Sequence, residues 1–283
     1  MTLSTIHPPD NAITRVPHLT LSGKLLAWYD AAHRTMPWRV PPGALMRGVR
    51  PDPYRVWLSE VMLQQTTVAT VAGYFNKFIA LWPRVTDLAA ASEEDVLKAW
   101  AGLGYYSRAR NLKKCADIVA LEHCGRFPET AVGLQTLPGI GPYTAAAIAA
   151  IAFNENVPVV DGNIERVVTR INEIETPLPQ AKPAIAVAVA SMTPASRPGD
   201  FAQAMMDLGA TICTPRRPSC MICPLHSLCG AAKAGNPEIY PFKSPKKLKQ
   251  LGLPNEVVWP HGDSPHRICH TRSRNPMKQT SGL

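Results

Sequence analysis

The segment Leu137-Pro-Gly-Ile-Gly-Pro-Tyr-Thr-Ala-Ala-Ala-Ile148 joins a tight Gly/Pro turn to the start of an alanine-rich helix. Gly139 and Gly141 permit backbone conformations that other residues resist, and Pro142 suits the first turn of the following helix. Backbone N–H groups at a helix N-terminus lack partners within the helix, so such a turn can bind a phosphate. Taken alone, the segment fits both a phosphate site and an ordinary corner between two helices.

The composition is that of a globular chain with a core. Of its 283 residues 46% are hydrophobic, which is enough for one or two domains. We find neither a signal sequence nor a run of roughly 18 uninterrupted apolar residues, so we expect a cytoplasmic protein with no membrane partner. The net charge of +9 suggests a polyanionic partner. However, residues 241–283 hold eight Lys and Arg against two acidic residues, so most of this charge lies in the tail.

Apolar residues recur at helical spacing along most of the body, and no stretch shows sustained period-two alternation. We therefore predict an all-α fold. The predicted helices cover residues 21–34, 53–71, 74–81, 93–101, 107–121, the segment after the Gly/Pro turn, 164–172, 183–191 and 200–211.

Glu60 lies on the predicted helix 53–71 among mostly apolar neighbours. The residues three and four positions away are Val56, Trp57, Leu63 and Gln64. Burial on this face would raise the pKa of the carboxyl group. In the alternative, Glu60 points to solvent beside Ser59, and the helix alone favours that exposed position because most helical glutamates are exposed.

Asp161 precedes the predicted helix 164–172 in the sequence Val-Val-Asp-Gly-Asn-Ile. Aspartate at such a position is most often an N-cap. The positive end of the helix dipole would keep its carboxylate ionised, so capping and a chemical role are compatible.

Four cysteines lie within seventeen residues, with the spacing C-x6-C-x2-C-x5-C: Cys213, Cys220, Cys223 and Cys229. Four thiolates on one short segment suit an iron–sulfur cluster or a tetrahedral zinc. Zinc ribbons usually pair two C-x-x-C units and only one is present, so we favour iron–sulfur. The scattered Cys115, Cys124 and Cys269 are interpreted as structural or incidental.

Together these motifs resemble the helix-hairpin-helix DNA glycosylases that carry a 4Fe–4S cluster, and within them the adenine-DNA glycosylases of the MutY type. The similarity covers about residues 20–242. It rests on the segments 37–39, 57–66, 102–108, 137–144 and 160–166, and on the cysteine spacing.

The resemblance implies a two-domain fold that acts as a monomer on double-stranded DNA with a mismatched adenine. Residues 37–153 would form a six-helix barrel that contains the hairpin. Residues 154–230, with a helix from the N-terminal segment 1–36, would form the iron–sulfur domain. The remainder, 231–283, would be a basic tail without fixed structure.

The resemblance also implies that the base is excised from a nucleotide that has been flipped out of the stack. One carboxylic acid must protonate the base, and a second, ionised carboxylate must stabilise the positively charged sugar. Glu60 fits the acid and Asp161 fits the ionised partner. By similarity, Tyr143 and Asn163 would position these groups.

The resemblance assigns the DNA contacts to two further sets of residues. Gln65 and Tyr105 would insert into the stack around the mismatch. The hairpin would bind backbone phosphates through Leu137, Gly139, Gly141 and Thr144.

Two alternatives stay open. An endonuclease III-type enzyme for oxidised pyrimidines would also cut the strand, but that chemistry needs a lysine amine where this sequence has Tyr143. The other is a DNA-binding iron–sulfur protein with weak catalysis. The family pattern continues after about residue 249 into a Nudix-like domain, whereas the 34 residues here are polar and Pro-rich, as a truncation or a shifted reading frame would give.

Overall fold

The structure is a computed structural model that describes residues 18–244, and within that range the chain is helical. The helices are α1 (His18–Ala32), α2 (Pro53–Leu63), α3 (Val68–Leu81), α4 (Val85–Ala90), α5 (Glu93–Trp100), α6 (Tyr106–Leu121), α7 (Ala131–Leu134), α8 (Pro142–Phe153), α9 (Gly162–Asn172), α10 (Lys182–Met192), α11 (Pro198–Thr211) and α12 (Gly230–Lys233). The described part contains no β-strand, only an isolated bridge between Leu178 and Lys243. The predicted all-α fold is confirmed.

Side-chain caps fix where several helices begin. Asp52, Thr67, Ser92, Thr130 and Asp161 each accept a hydrogen bond from a backbone N–H of the first helical turn. Such a cap satisfies one of the donors that have no partner inside the helix. The capping role predicted for Asp161 is therefore confirmed.

Helix α8 lies at the centre of the described region. All nine residues from Thr144 to Ala152 are buried, and α8 packs against α2, α7 and α11. Its alanines allow neighbours to approach closely. At Gly199 of α11, an added Cβ would lie 2.5 Å from the carbonyl oxygen of Ala150, so only glycine fits this crossing.

One predicted helix is wrong in length. The segment 53–71 was predicted as a single helix, but α2 ends at Leu63 and α3 begins at Val68. Gln65 has a left-handed backbone, with φ of 59°, and Thr67 caps the next helix. Local capping and turn formation outweigh helical periodicity here. The short helices α4, α7 and α12 were not predicted.

The chain makes defined contacts beyond the predicted tail boundary at residue 230. Tyr240 is buried, and the N–H of Leu178 donates to the carbonyl of Phe242 at 2.9 Å. The described residues belong to a compact unit that ends at Ser244. The rest of the predicted tail and residues 1–17 lie outside the described residues, and the boundary near residue 153 remains a prediction. Between residues 18 and 244, no helix has the length and hydrophobicity of a membrane span.

Candidate active site and cluster centre

A carboxyl group and a phenol meet where α2 packs against α8. Glu60 is buried, with 8% of its surface exposed. The hydroxyl of Tyr143, the second residue of α8, lies close enough to the Glu60 carboxyl group to lower its pKa as a hydrogen-bond donor. Across the same contact, Gln64 Nε2 donates to Thr144 Oγ1 at 3.4 Å. Burial of Glu60 is thus observed, and the solvent-exposed alternative is wrong.

The surroundings of Glu60 set its protonation near neutral pH. Burial raises the pKa of its carboxyl group to about 7, while the hydrogen bond from Tyr143 and the charge of Arg39 lower it and the charge of Asp161 raises it. Such a group can both donate and accept a proton. Burial also holds the pKa of Tyr143 well above its ordinary value, so its phenol stays protonated and can donate.

Asp161 is held at the N-terminus of α9 by two hydrogen bonds. Its Oδ1 accepts from the Ile164 backbone N–H at 2.7 Å, and its Oδ2 accepts from Asn163 Nδ2 at 2.8 Å. The carboxylate faces the positive end of the helix dipole. The helix start therefore fixes both the position and the orientation of this group.

A cavity of about 420 Å³ brings the four predicted catalytic residues together. Glu60 and Tyr143 line it from α2 and α8, and Asp161 and Asn163 line it from the start of α9. Its other lining residues include Arg34, Trp38, Arg39, Gln64, Gln203 and Met206. Two carboxyl groups in different surroundings thus share one cavity, which suits acid catalysis paired with stabilisation of a cation.

Buried ion pairs beside this cavity were not predicted from the sequence. Asp207 of α11 is fully buried. It accepts from Arg34 Nε at 2.6 Å and from Arg39 Nη1 at 2.8 Å. It therefore anchors the guanidinium whose charge lowers the pKa of Glu60. A signal existed, since Asp207 lies in an otherwise apolar helical stretch where an unpaired carboxylate would be costly.

Gln65 and Tyr105 both lie at turns between helices and both are exposed. Their φ angles are 59° and 47°, in the left-handed region, and 63% of the surface of Tyr105 is exposed. This conformation is unfavourable for residues with a Cβ and tends to persist where function requires it. Both side chains are free to meet a ligand at the surface.

The two glycines of the hairpin are exposed, whereas the side chains of the other two residues predicted to bind phosphate are buried. Gly139, with φ of 76°, and Gly141 are exposed at the turn. Leu137 and Thr144 are each only 3% exposed. Any contact that these two residues make with a phosphate would therefore use the backbone.

The four predicted cluster ligands surround a small cavity beside α9. It is lined by Cys213, Cys220, Cys223 and Cys229, together with Arg170 and His226. Burial raises the pKa of the Cys223 thiol, and the other three cysteines raise it further, which shows their proximity. Within the described residues no three metal-binding side chains are grouped closely enough for a single ion. Four thiols around a cavity fit a multi-iron cluster.

Two arginines of α9 hold the first cysteine in place. Arg170 Nη1 donates to the Cys213 sulfur at 3.2 Å and to the Thr214 carbonyl at 2.7 Å. Arg166 Nε donates to the Cys213 carbonyl at 2.8 Å, and its Nη2 donates to Asn163 Oδ1 at 3.0 Å. A continuous path of hydrogen bonds therefore connects a cluster ligand with the side chains at the start of α9.

Comparison with known proteins places the chain in a family. It is 42% identical over 214 residues to an adenine DNA glycosylase of Mycolicibacterium smegmatis, a match that covers 76% of this chain and 70% of that protein. The chain belongs to the adenine DNA glycosylase family. It is also 49% identical over 278 residues to the human adenine DNA glycosylase, covering 92% of this chain and 50% of that protein. The chain thus spans about half the length of its mammalian relatives.

Matches to domain families and to solved structures are consistent with membership of this family. Residues 58–187 match the HhH-GPD superfamily of base excision DNA repair proteins, and residues 213–229 match the iron–sulfur binding domain of endonuclease III. The second match confirms the predicted 4Fe–4S cofactor. A thermostable thymine-DNA glycosylase structure aligns with a TM-score of 0.66 at 28% identity, covering 77% of this chain and 97% of that one. An endonuclease III–DNA complex, at 21% identity and a TM-score of 0.63, covers 78% and 98% and shows the shared fold.

Proposed function

We propose that this chain hydrolyses the N-glycosidic bond of adenine mispaired with guanine or 8-oxoguanine, and that it does so without cutting the strand. One observation carries the proposal. Glu60, buried and with a pKa of about 7, shares one cavity with Tyr143 and with the capped carboxylate of Asp161. A glycosidic bond to a poor leaving group needs such a pair of carboxyl groups.

In the proposed reaction Glu60 protonates the flipped adenine, and the bond between base and sugar breaks. The sugar then carries positive charge, which the carboxylate of Asp161 stabilises. Asn163, which donates to Asp161, keeps that carboxylate oriented. Glu60, deprotonated after the first step, can then accept a proton from the attacking water.

We further propose that the protein works inside the cell as a monomer on double-stranded DNA. The N–H groups around Gly139 and Gly141 would bind backbone phosphates at the N-terminus of α8. Gln65 and Tyr105, exposed on adjoining turns, would fill the space that the flipped nucleotide leaves. Support comes from the endonuclease III relatives, which were solved with DNA.

The cluster, held by Cys213, Cys220, Cys223 and Cys229, would act by cross-linking the segment between α11 and α12. Arg216 and Arg217 are exposed on this segment, and the Arg217 N–H donates to Glu238 at 2.9 Å. A rigid loop with two guanidinium groups suits a phosphate backbone. The cluster therefore contributes to binding, while the protonation steps belong to the cavity.

A strand-cutting activity is disfavoured by the cavity itself. The reaction of a lyase begins with attack of an amine on the sugar carbon. The phenol of Tyr143 cannot form a Schiff base, and no lysine is among the described residues that line the cavity. We therefore favour the simple glycosylase over the endonuclease III-type alternative.

The proposal is tested by incubating the purified, iron-loaded protein with duplexes that contain A opposite G, A opposite 8-oxoguanine, or thymine glycol. We expect free adenine from the first two, strand breaks only after alkali, and little protein–DNA complex trapped by borohydride. Efficient trapping, or release of thymine glycol in preference to adenine, would favour the lyase. Tight binding without base release would favour the DNA-binding alternative.

A further inference from the structure

Arg108, the third residue of α6, extends its side chain to the end of α2. Its Nη1 donates to the carbonyl oxygens of Val61 at 3.2 Å and Met62 at 3.0 Å. These carbonyls belong to the last turn of α2, where no partner within the helix is present. A cation at a helix C-terminus also interacts favourably with the helix dipole.

The second terminal nitrogen of Arg108 contacts both exposed turns. Its Nη2 donates to Thr66 Oγ1 at 3.2 Å and to the Leu103 carbonyl at 3.1 Å. Thr66 follows Gln65, and Leu103 lies two residues before Tyr105. The guanidinium carbon also lies 5.6 Å from the centre of the Tyr105 ring. One planar group therefore connects the two turns that carry the proposed DNA-inserting side chains.

Both turns need support from their surroundings. Gln65 and Tyr105 have left-handed backbones, a conformation that is unfavourable for residues with a Cβ. Trp100 stabilises one of the turns, since its Nε1 donates to the Gly104 carbonyl at 3.0 Å. Arg108 contacts both, so it holds the separation between them as well as the shape of each.

We propose that Arg108 is a positioning residue that fixes Gln65 and Tyr105 relative to each other, so that both insert into the base stack when the target nucleotide leaves it. This inference rests on the proposed function. It requires the planar guanidinium, because its two terminal nitrogens make four hydrogen bonds here, whereas the lysine ammonium has only three N–H donors. Since its terminal nitrogens already bind protein oxygens, Arg108 is poorly placed to bind a phosphate.

If Arg108 positions the two turns, its loss should slow extrusion of the base rather than cleavage of the glycosidic bond. The test compares single-turnover adenine release from an A:G duplex with release from a duplex in which the same adenine is an unpaired bulge. An unpaired base costs less to extrude. The variants are Arg108→Met, Arg108→Lys and, as a matched control on the same helix, Arg110→Met. Arg110 is half exposed and has a loose ion pair with Glu93 at 3.6 Å.

We expect Arg108→Met to slow release from the A:G duplex about tenfold or more and to slow release from the bulge far less. Arg108→Lys should show the same selective defect, and Arg110→Met should slow neither reaction. Because the two rates come from one preparation, a partly unfolded sample does not change their ratio. Equal slowing on both substrates, or normal release from A:G, would overturn the proposal.

Base extrusion can also be measured without cleavage of the glycosidic bond, which tests the role of Arg108 separately from the proposed function. In a Glu60→Gln background, 2-aminopurine in place of the target adenine should become brighter on binding, and Arg108→Met should reduce that change. Adding Gln65→Ala to Arg108→Met should cost little more than either change alone, because both act on one step. Failure of the unaltered protein to release adenine would refute the proposed function, whereas an unchanged fluorescence signal would refute the role of Arg108.

Discussion

The proposed reaction depends first on one proton, that of Glu60. Burial places the pKa of this carboxyl group at about 7, above that of an exposed glutamate. The acid form is therefore abundant below pH 7 and is lost above it. If protonation of adenine limits the reaction, the rate of base release should fall as the pH rises through about 7.

Tyr143→Phe tests this pH dependence. The hydrogen bond from Tyr143 favours the ionised form of Glu60 and lowers its pKa, so removing the hydroxyl should raise that pKa. The decline in rate should then move to higher pH, although the maximal rate also falls as positioning is lost. Tyr54→Phe is a matched control, because the Tyr54 hydroxyl donates to the Trp82 carbonyl and Tyr54 is not among the residues lining the cavity.

Single-turnover rates measured across the neutral range would show the shift. The profile of Tyr54→Phe should match that of the unaltered protein. A decline that stays in place, or moves to lower pH, in Tyr143→Phe would mean that the phenol does not stabilise the Glu60 carboxylate.

The neighbouring sequence predicted the structural role of some residues but not of others. The capping role of Asp161 could be predicted because a cap depends on residues that are close in sequence. The apolar neighbours of Glu60 raised the possibility of burial but could not decide it. Its pairing with Tyr143 and Arg39 depends on helix packing, which brings together segments far apart in the chain.

Helix α11 passes close to α9 at Gly209. A Cβ added to Gly209 would lie 2.6 Å from the Cβ of Asn163, closer than packed atoms allow. The Gly209 carbonyl also accepts from Arg166 Nη2 at 2.7 Å. The crossing of the two helices therefore helps to set the position of a proposed catalytic side chain.

Gly209→Ala should displace Asn163, lowering the unfolding free energy by about 1–3 kcal/mol and slowing excision about tenfold or more. The matched control is Gly73→Ala on α3, where an added Cβ meets nothing within 4 Å. That change should leave excision intact and stabilise the helix by up to about 1 kcal/mol. Urea unfolding and single-turnover excision provide the two measurements. Normal excision by Gly209→Ala would show that Asn163 tolerates displacement.

Helical periodicity predicted most of these elements but not the break between α2 and α3. Apolar residues recur at helical spacing on both sides of residues 64–67, which are four polar residues in a row. This polar interval does not by itself indicate a left-handed turn at Gln65. The turn is maintained by contacts from elsewhere in the fold, among them the hydrogen bond from Arg108 to Thr66. Such support depends on tertiary packing, so local sequence could not reveal it.

The segment between α11 and α12, which carries the four cluster cysteines, is linked to the cavity through Arg166. Cys223→Ser should therefore reduce bound iron, destabilise the fold and impair excision, because loosening of Cys213 releases Arg166 from Asn163. Cys124→Ser is the matched control, since Cys124 is exposed and is not among the residues lining the cluster cavity. Iron content, visible absorption and thermal unfolding report on the cluster. Full iron content in Cys223→Ser would exclude that cysteine as a ligand.

Much of the architecture could be predicted because it depends on patterns within short segments of the sequence. Cysteine spacing indicated the cluster, and the Gly/Pro turn indicated the hairpin. That Glu60 and Asp161 line one cavity could be expected only from the resemblance to a family, since it depends on how α8, α9 and α11 pack. The apolar neighbours of Asp207 were a signal in the sequence, but its pairing with Arg34 and Arg39 depends on the same packing.

The central claim is that Glu60 acts as the acid that releases adenine, and Glu60→Gln tests it most directly. The amide keeps the shape of the side chain but cannot deliver the proton. We predict that the unaltered protein releases adenine from an A:G duplex in a single turnover. Glu60→Gln should be slower by about 10²-fold or more, while it binds the same duplex with similar affinity and retains its iron. Near-normal adenine release by Glu60→Gln would contradict the account.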